Sequence, residues 1–307
     1  MKKSEAGRMH PWTQNKPEPT IAVLGGSGRF GRPYIQEFLD QGLTVRILAR
    51  SPKRVAQRFP RAHVVQGNMM NLSDVVPLFS GAAAAFLITP LGGNDDVRIE
   101  WKAARSALTA AKSTQLPHLF YLSLVQSARP TGVPLLDVKG RIETMALSSG
   151  VPFSSLRTGC YMDIWLAFFP LLMKLGLYLM PIAPCRRFSF TSQRDAARVA
   201  VLLMRHNKVL NGSVDVIEPR ARTLQEVVNL YKTVTGRRLM PLGRWLLPML
   251  NLLKPISFRW LFPSGASRVS LFNYFNAHDW VGDPHQLSGV LPEFQVTSMK
   301  HFLTGKS

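Results

Sequence analysis

Acidic side chains are scarce in this 307-residue chain: 18 Asp and Glu face 38 Lys and Arg, a formal charge of +20. A deficit of that size favours anionic partners: a phosphate-bearing cofactor, nucleic acid or an acidic membrane surface. The surplus is spread, +9 over residues 1–150 and +11 over residues 151–307, so there is no dedicated basic arm. Helix-turn-helix, zinc-finger and RNA-recognition signatures are also missing, and nucleic acid is not expected as a partner. Cysteine is scarcer still. Cys160 and Cys185 are too few for a disulfide framework, which points to a reducing compartment and to thiols that pack rather than attack. Residues 1–19 are polar and contain proline, with no apolar secretory core; they read as a loose arm on a cytoplasmic protein. No metal-ligand cluster, serine elbow or facing carboxylate pair is found, so no metal is expected.

What is present is apolar and rhythmic. Hydrophobic residues make up 46% of the chain, enough to exclude a disordered class and to build a full core. Between residues 20 and 159, six short apolar runs alternate with helical stretches: TIAVLGG, TVRILAR, HVVQGN, AAAFLITP, HLFYLSL and PFSSLRTG. Near-continuous apolar runs suit strands buried on both faces of a parallel sheet. The segment DDVRIEWKAARSALTAAKS (95–113) is the clearest helix between them. Strand and helix in alternation predict an α/β fold with a doubly wound, Rossmann-like parallel sheet over residues 20–159.

The rhythm breaks after residue 160, where a smaller, mostly helical lid and substrate region (160–307) is expected. Two apolar blocks stand out, 164–184 and 239–262, each interrupted by proline or basic residues and so poorly suited to span a bilayer. Their bulky groups Trp165, Phe168, Phe169, Trp245, Leu246, Trp260 and Phe262 are flanked by Arg186, Arg187, Arg237, Arg238, Arg244, Lys254 and Arg259. A buried lid is one reading. The other is an interface for anionic lipid, a membrane complex or a lipophilic substrate, which would make the protein peripheral at a membrane. Helices over 193–206 and 223–236 and a strand over 212–217 lie between the blocks, with Thr223 and Glu226 spaced as a capping box.

The motif that speaks to chemistry is GGSGRFG, residues 25–31, set between the first strand and a helix. In that position backbone N–H groups and the helix dipole converge on one anion, as in dinucleotide-binding turns. Gly25 permits the turn, Gly28 the approach of a pyrophosphate, and Gly31 close packing of helix on strand; Ser27, Arg29 and Phe30 complete the loop. A ribose with a free 2′-hydroxyl is held by a carboxylate about 20 residues onward. None stands there. Arg50, Lys53 and Arg54 do, with Arg29 nearby, and arginine pairs with a 2′-phosphate. NADP(H) is therefore expected over NAD(H).

From residue 20 to about 236 the chain resembles the NmrA-like branch of the atypical short-chain dehydrogenase/reductase superfamily. GGSGRFG, VRILARSPKR, VVQGNMMNLSDV, FLITP, FYLSLVQSA, KGRIETMALSSGVPFSSLRTG and TSQRDAARVAVLLM carry the resemblance, in that order. It implies that Asn68 and Met69 border the adenine, that Thr89 and Pro90 line the cofactor groove, and that Ser123 lies near the nicotinamide. In the superfamily's main branch a Tyr-x-x-x-Lys helix supplies the proton donor. Lys139 occupies the lysine place here and is expected to touch the nicotinamide ribose, but Leu135 stands where the tyrosine belongs. Tyr161 and Lys139 itself are the substitute donors, with Ser123 beside them as the third candidate catalytic residue. His118 and Asp195 read as structural. Two functions stay open: an NADP(H)-dependent oxidoreductase reducing a quinone-like or lipophilic carbonyl, and a non-catalytic redox sensor or assembly factor of a membrane complex. A sugar-nucleotide epimerase is disfavoured, because it too needs the missing tyrosine.

Overall fold

Ile21 and Val23 turn into one apolar layer while Ala22 and Leu24 turn into another, the two-residue alternation of a strand buried on both faces. The computed structural model describes residues 19–28, 30–89, 96–163, 177–179, 182–237, 239–242 and 265–305. The chain runs β1 (Thr20–Leu24), α1 (Arg32–Asp40), β2 (Thr44–Ala49), α2 (Pro52–Arg58), β3 (His63–Gln66), α3 (Leu72–Phe79) and β4 (Ala84–Leu87). Next come α4 (Asp96–Ser113), β5 (Leu119–Leu124), α5 (Pro134–Leu147), β6 (Phe153–Thr158), β7 (Cys160–Tyr161), β8 (Leu177–Leu179), β9 (Arg187–Phe188) and β10 (Phe190–Thr191). The remaining elements are α6 (Gln193–Arg205), β11 (Gly212–Val216), β12 (Arg222–Thr223), α7 (Leu224–Thr235), β13 (Met240–Leu242), α8 (Gly265–Ala277), α9 (His285–Val290) and α10 (Met299–Leu303).

Seven strands form one parallel sheet in the order β11-β6-β5-β4-β1-β2-β3. This is the expected doubly wound, Rossmann-like sheet, and its order reverses between β1 and β4. Residues of α1 and α6, among them Phe38 and Val199, fill the layer on one face; α3, α4 and α5 fill the other. Each fully buried side chain such as Ile21 or Phe86 contributes about 1.5–3 kcal/mol. β3 departs from the expectation of strands buried on both faces. It is the sheet's edge, with β2 as its one strand neighbour, and its side chains are exposed or half-buried.

The sheet also draws on the chain beyond residue 160. α6 packs against α1, where Glu37 meets Arg198 at 2.9 Å and Arg194 at 3.3 Å, and β11 pairs with β6. The Thr223–Glu226 capping box closes as expected at the start of α7. The last described segment then returns across this region, held by carboxylates. Asp195 accepts the Thr297 N–H at 2.6 Å, Asp215 the Asp283 N–H at 2.8 Å, and Glu218 the Met299 N–H at 3.1 Å. Burial, outweighing these hydrogen bonds, holds all three carboxyls above their ordinary pKa. Asp195 thus anchors the C-terminal segment. The arm over residues 1–18 and most of the two apolar blocks, with all seven of their bulky groups, lie outside the described residues.

His118 is a core residue. Its ring lies 3.8 Å from that of Phe120, its Nε2 pairs with Ser154 Oγ at 2.7 Å, and burial lowers its pKa to about 4. The unfolded chain takes up this proton near pH 6.5 and the folded chain only near 4, so folding stability falls as pH drops through that window. His118→Gln should remove this component, about 3 kcal/mol when complete. Urea denaturation between pH 7 and 4 checks it: the wild-type curve should be steeper by that amount.

Candidate functional site

At the end of β1 the chain turns over the end of β4. Gly25 has φ +81°, and a Cβ there would lie 1.7 Å from the Ile88 carbonyl oxygen. At Gly31 a Cβ would lie 2.5 Å from Gly26 Cα and 2.6 Å from Gly25 O, so the turn and the start of α1 are in backbone contact. Gly28 differs: the nearest atom to its Cβ position is 3.5 Å away. Two glycines close the turn and the third leaves room. Among the described residues no side chain caps α1 and no carboxylate lies in its first turn; the Gly31 and Arg32 N–H groups donate to the Gly28 carbonyl, both at 3.2 Å, and Pro33 has none, so what this end offers an anion is its dipole.

In front of this turn lies a cavity of about 410 Å³. Gly25, Ser27, Gly28, Phe30 and Gly31 form one wall; Leu48 and Arg50, at the end of β2, and Gly67 to Met70, after β3, form another; Ile88, Thr89 and Ile99 complete it. Its described lining contains no carboxylate. Arg50 stands exposed at the rim, whereas Lys53 and Arg54 lie exposed on the first turn of α2 and outside the lining. Asn68 Oδ1 accepts the Met70 N–H at 3.1 Å, so its NH₂ is the half left to meet a ligand. Arg29 and Pro90 lie outside the described residues.

The three candidate catalytic residues meet at one place. Ser123, Lys139 and Tyr161 line a narrow cleft of about 10 Å³ with Phe30 and Thr89, two residues that also line the large cavity. That volume holds one water at most. Each candidate is already engaged. Lys139 Nζ donates to Glu100 Oε1 at 2.6 Å, to the Leu122 carbonyl at 3.1 Å and to Thr89 Oγ1 at 3.3 Å. Tyr121 donates to the same Glu100 oxygen at 2.6 Å, and the Thr89 hydroxyl donates to it as well. Tyr161 pairs with the Tyr34 hydroxyl at 3.0 Å and accepts from Thr158 at 3.2 Å, and burial pushes its pKa up to about 12. Ser123 donates to Ser127 at 3.4 Å, which leads on to Glu143 and its ion pair with Arg157. A buried phenol at that pKa is a weak proton donor near neutrality.

Glu100 escaped the sequence reading, although its signal was there. It stands three, four and seven residues before Ala103, Ala104 and Ala107, on the buried stripe of α4, where a carboxylate requires a partner. Tyr121 was missed because a phenol in the apolar run LFYLSL looks like packing, and Tyr34 because it sits on the buried face of α1.

The sequence matches the profile of the NmrA-like family over residues 17–284. This chain belongs to that family. Among the relatives of this NmrA-like protein is the photosystem II assembly factor Ycf39 of Synechocystis, 21% identical over 229 residues, 70% of this chain and 68% of that protein. The Escherichia coli NADPH-dependent quinone oxidoreductase QOR2, solved with NADPH, superposes with a TM-score of 0.75 at 17% identity, covering 93% of this chain and 99% of the other. The negative transcriptional regulator NmrA, solved with NAD, superposes at 0.68 and 17% identity, over 94% and 95% of the two chains. These likenesses establish the fold. Among the described residues, no helix is long and apolar enough to cross a membrane, and no group of three or more potential metal ligands occurs.

The turn itself is open to test by substitution. Gly25→Ala introduces a Cβ that overlaps the Ile88 carbonyl at a left-handed backbone position, and should cost roughly 2–5 kcal/mol. Gly28→Ala, where there is room, should cost less than about 1 kcal/mol; urea unfolding of both variants measures the difference.

Proposed function

We propose that this protein binds NADP(H) at the β1/β4 switch point and passes hydride to a quinone-like or other lipophilic carbonyl acceptor. The observation that carries the reading is the 410 Å³ cavity walled by the glycine turn, with Arg50 at its rim and no carboxylate in its described lining. Three features fit the cofactor. Space beside Gly28 and the uncapped start of α1 suit a pyrophosphate. Asn68 and Met69 offer a hydrogen-bond donor and an apolar flank to adenine. Arg50 stands at the end of β2, where a free ribose would call for an acid, and a guanidinium pairs with a 2′-phosphate.

The nicotinamide half then extends toward Thr89, Ser123, Lys139 and Tyr161. When bound, NADPH supplies the hydride; the protein's part is to hold and orient both reactants. With no strong acid at the cleft, the suited acceptor is one whose reduced oxygen is a weak base. A quinone meets that condition, since its reduction leaves a phenolate-like oxygen that takes its proton readily from water.

The second reading, a protein that binds NADP(H) without turnover as a redox sensor or an assembly factor, draws on the same cleft. Its small volume and the engagement of Lys139 by Glu100 suit a site that holds a cofactor and admits no substrate. The similarity to a photosystem II assembly factor supports it as well.

Calorimetric titration should give NADP(H) at least about tenfold tighter binding than NAD(H), and Arg50→Asp should abolish that preference, since a charge-assisted pair is worth about 1.5–3 kcal/mol. Equal affinity for the two cofactors would refute the role of Arg50. Absorbance at the reduced-nicotinamide band, followed across a panel of quinones and carbonyls, separates the two functions. The enzyme oxidises NADPH with at least one acceptor, and slows about tenfold or more in Lys139→Ala, which removes the side chain that orients the nicotinamide ribose. Tight binding with no oxidation of NADPH by any acceptor would establish the sensor.

A further inference from the structure

Glu100 and Lys139 form an ion pair 2.6 Å long in which neither side chain is more than 2% exposed. Glu100 Oε1 receives Lys139, Tyr121 and Thr89, while Oε2 is buried with no hydrogen-bond partner among the described residues. Among the described residues neither member of the pair bridges to a second charge, so each balances the other alone. A lone charge at this depth would be costly; a matched pair is electrically almost silent at a distance.

The position of the pair gives that silence a consequence, one that rests on the cofactor reading above. With the pyrophosphate on the glycine turn and the adenosine ribose at Arg50, on the β2 side, the nicotinamide has the β4–β5 side left. Thr89 lines both the large cavity and the narrow cleft there, and it is bonded directly to Glu100 and Lys139. The oxidised ring carries a positive charge and the reduced ring none. Net charge buried beside it therefore acts on the oxidised form, and acts strongly, because the surroundings are poor in water.

We propose that the Glu100–Lys139 pair keeps the nicotinamide end neutral, so that the protein holds NADP⁺ and NADPH with similar affinity. Glu100 is a positioning residue in this arrangement. It orients the Lys139 ammonium and Thr89 hydroxyl and cancels the charge that would otherwise repel the oxidised ring. The ratio of the two affinities is thus set by two side chains that need not touch the adenosine half at all.

The test is calorimetric titration of NADP⁺ and NADPH, each separately, into the full chain and three variants. Wild type should bind the two forms within about threefold of each other. Glu100→Gln leaves the ammonium unbalanced and should weaken NADP⁺ about tenfold or more while moving NADPH less than about threefold. Lys139→Met should shift the ratio the other way, and the double variant, with no charge, should return it to the wild-type value. Loss of packing alone would move both affinities together and leave their ratio unchanged. If Glu100→Gln scales both affinities alike, or if both single variants shift the ratio in one direction, the proposal is overturned. Should the single variants not fold, the uncharged double variant decides, since any departure of its ratio from wild type overturns the proposal. Binding of neither form by the wild-type protein would instead overturn the cofactor reading and this inference with it.

Discussion

The Ile88 carbonyl passes so close to Gly25 that no side chain fits between them, and the site is assembled around that contact. It brings the end of β4 against the turn that ends β1, at the point where the strand order reverses. One residue further on, Thr89 faces the cavity on one side and the buried Glu100–Lys139 pair on the other. A wider separation of β1 and β4 would part the open space at Gly28 from the polar cleft beside Tyr161. One backbone approach, possible only at glycine, thus connects the cavity at the glycine turn to the narrow cleft.

The charge balance looks different once burial is known. The chain is short of carboxylates, and several of those it has are inside it. Glu37, Glu100, Glu143, Asp195, Asp215 and Glu218 are all buried. Each is committed to a structural partner: Arg198, Lys139, Arg157, or a backbone N–H of the returning C-terminal segment. Acids used in this way hold helices to the sheet and tie down the last described elements, while many of the basic residues stay outside. The formal charge of +20 gives the protein a net positive field. An anionic dinucleotide approaching the cavity meets that field before it meets any particular residue.

The narrow cleft imposes the complementary constraint. Polar groups stand there in number, yet they serve one another: Tyr161 with Tyr34 and Thr158, Ser123 with Ser127, Lys139 with Glu100. Such a network is rigid because any break strands a buried polar atom. It fixes the polar groups around the cleft and leaves few of them to spare.

Much of the architecture was legible in local patterns, because a strand buried on both faces is largely apolar and a turn at left-handed φ calls for glycine. The six strand runs of residues 20–159, the helix from Asp96, the capping box at Thr223 and the roles of Gly25 and Gly31 all follow from spacing along the chain. Spacing could not reveal that β3 would be an edge, or that α6 and β11 would join the sheet from beyond residue 160. Nor could it reveal that Lys53 and Arg54 lie outside the cavity lining while Arg50 remains at the rim. Lys139 shows the reason most clearly. Its place on α5 was evident, but its partner lies 39 residues earlier, on α4, and β5 must pair beside β4 before the two can meet. Sequence by itself determined which residues had to be buried and where the chain had to turn; which buried charges would face each other was decided by the packing of helices across the sheet, since that distance exists only in three dimensions.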